Sequence, residues 1–339
     1  MLTRRTFLIA PIALAACKGS ASDILDLSGT TMGTTYNIVA VDHAKSVSKP
    51  DLHAAVSQVL NDVNAQMSNW DPSSELSRFN ASSSTAPYTV SPDLREVMTA
   101  AQDVHHASDG QFDVALGPLI ELWGFGARGA LGATPTDAEI EDALALTAQG
   151  APVEIGRDTL RKSNAETQIY VAAIGKGHGV DRVAAVMEQF GISDYMVEIG
   201  GDLFTSGRNP DGLPWQIGVE TPDAHDRSIQ QVVGVTNRGM ATSGDYRNYF
   251  EQDGVRYSHL LDARTGRPVT HTTASATVLA ENAMLADAWA TAMLTLGRDR
   301  GLEIAEAQNL AVLFVERDAT TSDMRFTATQ SSKFAALQA

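Results

Sequence analysis

Hydrophobic residues recur at helical spacing in several segments of this chain. Between residues 51 and 67, apolar side chains stand three or four positions apart, the pattern of a helix with one buried face. Ser91 followed by Pro92 is typical of a helix start, because Ser accepts from free N–H groups and Pro needs no partner there. The helices predicted in this way are residues 51–67, 91–107, 137–146, 176–190 and the alanine-rich 284–296.

Other segments alternate between apolar and polar residues or are rich in β-branched side chains, which predicts strands. The predicted strands lie at 34–41, within 152–174, and at 195–199, 215–220, 229–236, 246–250, 255–261 and 311–316. Residues 69–85 and 112–132 are rich in Ser, Pro or Gly and are expected to be irregular. Strands mostly follow strands, so we expect an α+β fold with mixed or antiparallel sheets and flanking helices rather than regular βαβ winding.

The N-terminal segment is expected to be an export signal rather than part of the fold. Residues 3–8 (TRRTFL) match a twin-arginine export pattern, and the apolar run 7–16 is too short to span a bilayer. Residues 14–17 (LAAC) look like a lipobox that would place a lipid on Cys17, the only cysteine in the chain. The alternative is a plain secretory signal in which Cys17 occurs by chance. The predicted organisation is therefore a signal at 1–17, a tether at 18–28 and one domain at 29–339.

The charge of the chain narrows the classes of partner. The formal net charge is −16 over 339 residues, and cleavage before Cys17 would remove only Arg4 and Arg5 of the charged residues. So acidic a protein is not expected to bind nucleic acid or to dock electrostatically on anionic lipid. To bind a phosphate-rich ligand, such a protein would need a cation, a lysine or a helix N-terminus beside the phosphates to offset their negative charge.

A glycine-rich turn at 172–181 (AAIGKGHGVD) is the first candidate for ligand binding. Glycines let backbone approach a ligand closely, and the helix that follows offers free N–H groups to phosphate. The Walker pattern fails, because Tyr170 and Gly177 stand where it needs Gly and Ser or Thr. The dinucleotide fingerprint fails at Val180. An ordinary strand-to-helix turn is the alternative.

Asp287 and Thr291 form the second candidate. They stand four positions apart on a predicted helix, so their oxygen atoms share one face. A carboxylate, a hydroxyl and nearby carbonyls suit a hard cation such as Mg²⁺. The alternative is a solvated Asp beside a Thr bonded to its own helix. An Asp on so apolar a helix is nevertheless expected to have a partner.

Two further segments combine polar and aromatic groups that could serve a site. Residues 241–249 and 257–266 are dense in hydroxyl, Asp, Arg and His side chains, and His259 is a candidate general base. Trp70, within 67–80, could stack on a planar ring. For each of these two residues alone, a structural role is the alternative. The other histidines show no zinc-ligand spacing.

Eight blocks occur in an order that resembles one protein family. They are TTMGT at 30–34, residues 67–80, residues 112–126 (with FD, GPL and WGFG), Gly175 to Gly177 with Asp181, IGGD at 199–202, ATSGDYR at 241–247, residues 258–266 (with SHLLD and TG), and Ala286 to Ala288 with Thr291. In this order they resemble the ApbE-type family of FAD:protein FMN transferases, over nearly the whole chain after the signal.

The resemblance implies an ApbE-like, T-fold-related architecture and a set of site residues. Mg²⁺ would be bound by Asp287, Thr291 and the backbone carbonyl of Gly175, where the family usually has Ala. Catalysis would fall to His259 and Asp287. The residues that would bind FAD are Met32, Trp70, Gly117, Lys176, Asp181, Gly201, Asp202, Thr242, Ser243, Asp245 and His259. Trp70 stands where the family usually has Tyr, and Ala263 where it has Pro.

The reaction implied is transfer of FMN from FAD to a Ser or Thr hydroxyl of an exported redox protein, with AMP as the leaving group. Three alternatives stay open at this point. Water could replace the acceptor hydroxyl, which would make the protein an FAD pyrophosphatase. An FAD-binding lipoprotein without chemistry would have less need of Asp287, Thr291 and His259. A flavin-dependent oxidoreductase is less favoured, because no redox cysteine is visible.

Overall fold

The computed structural model of the chain describes residues 23–126, 129, 134–148, 152–223, 228–246, 248–252, 254–318 and 325–338. The predicted signal at 1–17, with Cys17, lies outside the described residues, as does Arg247 of the ATSGDYR block. Within the described ranges, no helix is both long enough and apolar enough to cross a membrane.

The described residues form fifteen strands and eight helices. The strands are β1 (Asp23–Thr31), β2 (Thr34–Asp42), β3 (Tyr88–Thr89), β4 (Val153–Ile155), β5 (Thr159–Lys162), β6 (Asp194–Ile199), β7 (Asp202–Ser206), β8 (Trp215–Glu220), β9 (Ile229–Val235), β10 (Arg238–Gly244), β11 (Tyr249–Gln252), β12 (Val255–Ser258), β13 (Thr273–Ala280), β14 (Ala311–Arg317) and β15 (Phe326–Gln330). The helices are α1 (Lys49–Met67), α2 (Glu75–Ala81), α3 (Pro92–Ala107), α4 (Gly117–Leu122), α5 (Asp137–Leu144), α6 (Gly175–Gln189), α7 (Ala283–Ala307) and α8 (Ser332–Gln338).

An eight-stranded sheet runs through the molecule in the order β1-β2-β6-β7-β10-β13-β14-β15, and every neighbouring pair is antiparallel. Three smaller antiparallel sheets join β3-β5-β4, β8-β9 and β11-β12. The expectation of an α+β fold is confirmed. The turn between β1 and β2 holds Met32 and Gly33 at φ 49° and 72°, so two left-handed residues make the tight hairpin.

Helix α7 lies against β10 and β13, and α6 packs on α7 and on β6. Residues 283–307 are mostly apolar, and Gly297 (φ 74°) interrupts the helix with a kink. On α1, the buried residues Leu52, Val56 and Leu60 follow helical spacing. The predicted start of α3 is confirmed: Ser91 accepts a hydrogen bond from the Leu94 N–H at 3.3 Å, and Pro92 begins the helix.

Several expected boundaries are wrong. Strand β1 begins at Asp23, so residues 23–28, expected in a tether, pair with β2 at the sheet edge. The segment 69–85 contains α2, which starts because the Ser74 hydroxyl accepts from the Ser77 N–H. The segment 112–132 contains α4. Strand β14 is not the last strand, because β15 pairs with it.

Candidate active site

A cleft of about 710 Å³ collects side chains from distant parts of the chain. It is lined by residues of β2, β8, β10, α6 and α7, by the turn between β6 and β7, and by loops that flank α4, β11 and β12. The sequence-predicted site residues among its lining are Lys176, Gly201, Thr242, Ser243, His259, Asp287 and Thr291. The fold therefore brings two of the three Mg²⁺ candidates, Asp287 and Thr291, and the candidate base to one cavity, whereas Gly175 is not among the lining residues.

Lys176 lies between two buried carboxylates at what we call the charged end of the cleft. Its Nζ forms a hydrogen-bonded ion pair with Asp202 Oδ2 and lies 3.5 Å from Asp287 Oδ1. Asp202 and Asp287 are only 2% and 3% exposed. The other Asp287 oxygen accepts from the Gly177 N–H at 3.1 Å, so the first turn of α6 holds that carboxylate.

Two buried carboxyl groups share a single ammonium at this end of the cleft. Burial opposes the charge of Lys176, but Asp202 and Asp287 outweigh it and raise the pKa of the ammonium above its ordinary value. Burial and the neighbouring Asp287 raise the pKa of Asp202 to about 8, even with Lys176 beside it. One ammonium serves two buried carboxyl groups, so ionising both leaves an excess negative charge that favours a further cation.

The donor set suits a hard divalent cation. Thr291 Oγ1 lies 3.0 Å from Ser243 Oγ, so a hydroxyl pair from α7 and β10 adjoins Asp287 one helical turn away. Within the described residues, no group of three or more His, Cys, Asp or Glu side chains could hold a metal. One carboxylate and two hydroxyls leave coordination positions for phosphate oxygens and water, as Mg²⁺ commonly requires.

The glycine-rich segment serves helix packing as well as the cleft. A Cβ at Gly177 would lie 2.2 Å from the Ala283 carbonyl oxygen, so only glycine lets α6 approach the start of α7 this closely. That approach brings the Gly177 N–H onto Asp287. Gly175 is the first residue of α6, two positions earlier, and a Cβ there would meet only Val171 at ordinary contact distance.

His259 lies at what we call the histidine rim, immediately after β12. Its Nδ1 lies 2.9 Å from the Asn248 carbonyl oxygen. A carbonyl can only accept, so Nδ1 carries the hydrogen and Nε2 is left as an acceptor. Burial lowers the pKa of His259 below its ordinary value of 6.5, although Asn248 and Asp245 oppose that effect. A neutral imidazole with a free Nε2 can take a proton from a hydroxyl.

Aromatic rings fix the hairpin that carries this histidine. Phe250 and Tyr257 stack across β11 and β12 with centroids 5.1 Å apart. Tyr257 then contacts Trp123, and Phe250 contacts Phe125, each at 5.6 Å. Phe125 also meets the His259 ring edge-on at 6.3 Å. The WGFG block thus supports the histidine rim through ring contacts.

Asp181, which was expected to bind FAD, is not among the cleft-lining residues, and its carboxylate binds the start of α7. Its two oxygens accept from the N–H groups of Ala283 and Met284 at 2.8 and 2.9 Å. Burial raises the pKa of Asp181 to about 6 in spite of these two bonds. The residue acts on the site by holding the helix that carries Asp287.

Asp245 and Gly117 were also expected to bind FAD and likewise do not line the cleft. Asp245 is 9% exposed. The Arg317 guanidinium donates a hydrogen bond to each of its two carboxylate oxygens, one of them at 2.7 Å. Gly117 begins α4, where a Cβ would lie 2.5 Å from the Gln168 carbonyl oxygen. Each is next in the chain to a residue that lines the cleft, Gly244 for Asp245 and Leu116 for Gly117.

Met32, Trp70 and Asp202 were expected to bind FAD and also lie outside the lining. Met32 packs over Gly179, where a Cβ would come within 2.6 Å of the Met32 Cε. Trp70 is 61% exposed, and its ring meets the cleft-lining Tyr170 edge-on at 6.3 Å. Asp202 is paired with Lys176, which lines the cleft.

Several polar side chains in the lining were not predicted from the sequence. Tyr170 directs its hydroxyl to the buried carboxylate of Glu121. Asn37 donates to Glu198 at 2.8 Å, and Glu198 also accepts from the Gly201 N–H at 2.6 Å. Asn37 and Glu198 face each other only because β2 pairs with β6, so no local pattern could indicate them.

The chain matches the model of the ApbE family over residues 32–314. The FAD:protein FMN transferase of Vibrio cholerae is 42% identical to it over 304 residues, 90% of each chain. That of Haemophilus influenzae is 39% identical over 329 residues, 95% of this chain and 94% of the relative.

Solved structures agree with the sequence relatives. The flavin transferase ApbE from Vibrio cholerae superposes with a TM-score of 0.85 at 40% identity, covering 93% of this chain and 99% of the other. The apo form of the Pseudomonas stutzeri flavinyl transferase ApbE also gives a TM-score of 0.85, at 36% identity, covering 94% and 97%.

Proposed function

This chain belongs to the ApbE family and is a flavin transferase that uses FAD, and on that premise we propose the details of its reaction. It cleaves FAD between the two phosphates and joins FMN to a Ser or Thr hydroxyl of an exported redox protein through a phosphoester bond. AMP is released, and Mg²⁺ is required. The observation that carries the proposal is the shared cleft of Lys176, Asp287, Thr291 and His259.

The charged end would hold the FAD pyrophosphate. Asp287, Thr291 and the Gly175 carbonyl would bind Mg²⁺, which supplies positive charge to the phosphate oxygens when it is bound. Lys176 adds its own charge and is kept in place by Asp202. The first turn of α6 steadies Asp287 through the Gly177 N–H, so the charge-bearing groups are positioned before FAD arrives.

At the histidine rim, His259 would accept the proton of the acceptor hydroxyl. The acceptor hydroxyl attacks the phosphorus on the FMN side and forms a new P–O bond, while the bond from that phosphorus to the bridging oxygen breaks. His259 Nε2 takes the hydroxyl proton, because Nδ1 is committed to the Asn248 carbonyl. The bridging oxygen and its electron pair leave with AMP. The hydrophobic lining Leu116, Leu260 and Leu261 limits water near this step.

The test is a reaction of the chain from Lys18 onward with FAD, Mg²⁺ and a candidate acceptor domain. AMP release is followed together with the intact mass of the acceptor. AMP accompanied by a mass gain equal to an added FMN group supports transfer. AMP without that gain, with every acceptor domain tried, would favour hydrolysis by water. FAD binding without AMP would contradict an enzyme of either kind.

We also propose that the protein is exported by the twin-arginine route and held by a lipid on Cys17 at the periplasmic side of the inner membrane. The motifs at 3–8 and 14–17 support this. A Cys17→Ala chain should then move from the membrane fraction to the soluble fraction of the envelope. Unchanged membrane association in that variant would contradict the anchor.

A further inference from the structure

The eight-stranded sheet has two ends, and the cleft occupies one of them. Thr34, which begins β2, lines the cleft, and so does Gly201, which lies between β6 and β7. From Thr34, β2 runs away from the cleft to Asp42, a length of about 27 Å at the ordinary rise of a strand. The other end is formed by the start of β1, the end of β2, the start of β6 and the loop 207–214, and we call it the anchor end.

The chain enters the sheet at the anchor end. Asp23, the first residue of β1, pairs with Asp42, the last residue of β2. Residues 18–22 are all that stands between Asp23 and Cys17. So few residues span at most about 20 Å, even fully extended. A lipid on Cys17 would therefore keep the anchor end close to the bilayer, whereas the cleft lies a strand's length away.

The side chains of the anchor end suit a lipid surface. Ile24 and Leu213 are large apolar residues that are 51% and 56% exposed. Lys45 and Arg208 are exposed cations at the same end, and the Arg208 N–H is bound to the start of β6 through Asp194 at 2.7 Å. Aliphatic side chains can enter the headgroup region, while the long side chains of Lys and Arg reach the lipid phosphates.

Carboxylates at the anchor end are largely occupied by partners. Asp23 Oδ1 lies 3.7 Å from Lys45 Nζ, and Asp194 accepts from the Arg208 N–H. Asp42 is only 4% exposed. These three groups therefore present little free negative charge to a bilayer, although the net charge of the whole chain is −16. Repulsion from lipid phosphates should be weaker here than over the rest of so acidic a surface.

We propose that the anchor end rests on the lipid surface, so that the cleft opens toward the aqueous side of the envelope. This inference rests on the proposed function, since it takes the lipid on Cys17 as the anchor. The lipid supplies the binding, and the side chains of the anchor end set the orientation. An acceptor in the same membrane must then present its hydroxyl at least about 20 Å above the bilayer, near the far end of β2.

The test compares two exposed residues at opposite ends of the β8–β9 hairpin. Leu213 lies just before β8 at the anchor end, and Ile229 (62% exposed) begins β9 opposite Glu220, which lines the cleft. Leu213→Cys and Ile229→Cys chains are purified with their lipid and labelled with an apolar fluorophore. Because Cys17 is the only native cysteine and its sulfur would hold the lipid, the label reacts only with the new thiol.

The labelled chains are then added to phosphatidylcholine vesicles whose headgroups carry a nitroxide quencher. The label at position 213 should lose several-fold more fluorescence than the label at position 229. The same two variants made from Lys18 onward, which have no lipid, should lose none at either position. Circular dichroism checks that both variants fold.

Three results would overturn the inference. Equal quenching at the two positions would mean that the molecule lies on its side, and stronger quenching at 229 would turn the cleft toward the bilayer. No quenching at either position, in chains that float with the vesicles, would hold the anchor end away from the lipid. A purified chain whose mass shows no lipid on Cys17 would instead contradict the proposed anchor, and the inference would fall with it.

Discussion

The charged end and the histidine rim of the cleft are held in place by different means. At the charged end, Asp287 is buried on α7 and bound by the backbone of α6, so two packed helices and the carboxylate depend on each other. At the rim, His259 follows a two-stranded hairpin that rests on a stack of aromatic rings. Polar changes at the charged end should therefore affect both fold and chemistry, whereas changes at the rim should affect chemistry more selectively.

Loss of Asp287 should have the largest effect on activity. Asp287→Asn keeps the shape of the side chain but removes the negative charge proposed to bind Mg²⁺. AMP release and acceptor labelling should both fall at least about 10³-fold, because several kcal/mol of charge stabilisation are lost. Circular dichroism checks that the variant folds. If the variant kept activity within tenfold of the original at saturating Mg²⁺, the assignment of Asp287 as a Mg²⁺ ligand would be contradicted.

His259→Asn should lower the rate about 10²-fold while leaving the dissociation constant of FAD nearly unchanged, since a base contributes to the transition state. Burial lowers the pKa of His259, so the base stays neutral to more acidic pH than a free histidine. As pH falls, activity should be lost with a midpoint below 6.5, the ordinary value.

The pH profile of kcat is the specific readout for this histidine. The acid limb below pH 6.5 should disappear in His259→Asn, because Asn does not titrate there. An acid limb that persists unchanged would assign the titration to another group and would leave His259 without its role as base.

Comparing Lys176, which is half-buried in the cleft, with the fully buried Lys162 separates the effect of cleft charge from the effect of stability. Lys176→Met should reduce AMP release about 10- to 100-fold, because a cation facing the phosphates is lost. Lys162 is 1% exposed and donates to the carbonyls of Asn80, Ser82 and Ala165 at 2.7–3.1 Å, outside the cleft. Lys162→Met should lower the free energy of unfolding with little change in the rate per folded molecule. Equal activity losses in the two variants would mean that stability, not cleft charge, is being measured.

Asp181→Ala should have the smallest effect on chemistry. It removes the acceptor of the Ala283 and Met284 N–H groups at the start of α7, so the free energy of unfolding should fall by about 1–2 kcal/mol. Because Asp181 does not line the cleft, the dissociation constant of FAD should change less than about threefold, as is usual for a change that removes no ligand contact. Chemical denaturation and calorimetry measure the two quantities. A large loss of FAD affinity with unchanged stability would contradict this expectation and would support the predicted role of Asp181 in FAD binding.

The helices were more predictable than the central strands, for a physical reason. Ser91 and Pro92 mark the start of α3 locally, and that prediction is confirmed. Strand β13 was missed because seven consecutive residues, Thr273 to Leu279, are buried, so the alternation that indicates a half-exposed strand is absent. Strand β10 was missed because its Thr, Ser and Gly residues resemble a loop.

The site was predictable as a set of residues but not as an arrangement. The resemblance named Lys176, Asp287, Thr291 and His259, and all four line the cleft. Asp181 and Asp245 instead bind the start of α7 and Arg317, partners about 70 to 100 positions away that no local motif could reveal.

The most direct measurement is a crystal structure of the chain with FAD and Mn²⁺, which takes the place of Mg²⁺ and gives an anomalous signal. The anomalous peak should lie about 2.1 Å from an Asp287 carboxylate oxygen and the Thr291 hydroxyl, with FAD phosphate oxygens as further ligands. The phosphorus on the FMN side should lie on the side of the cleft open to His259 Nε2. A peak away from Asp287, or a pyrophosphate outside the cleft, would contradict the division of the site into a charged end and a histidine rim.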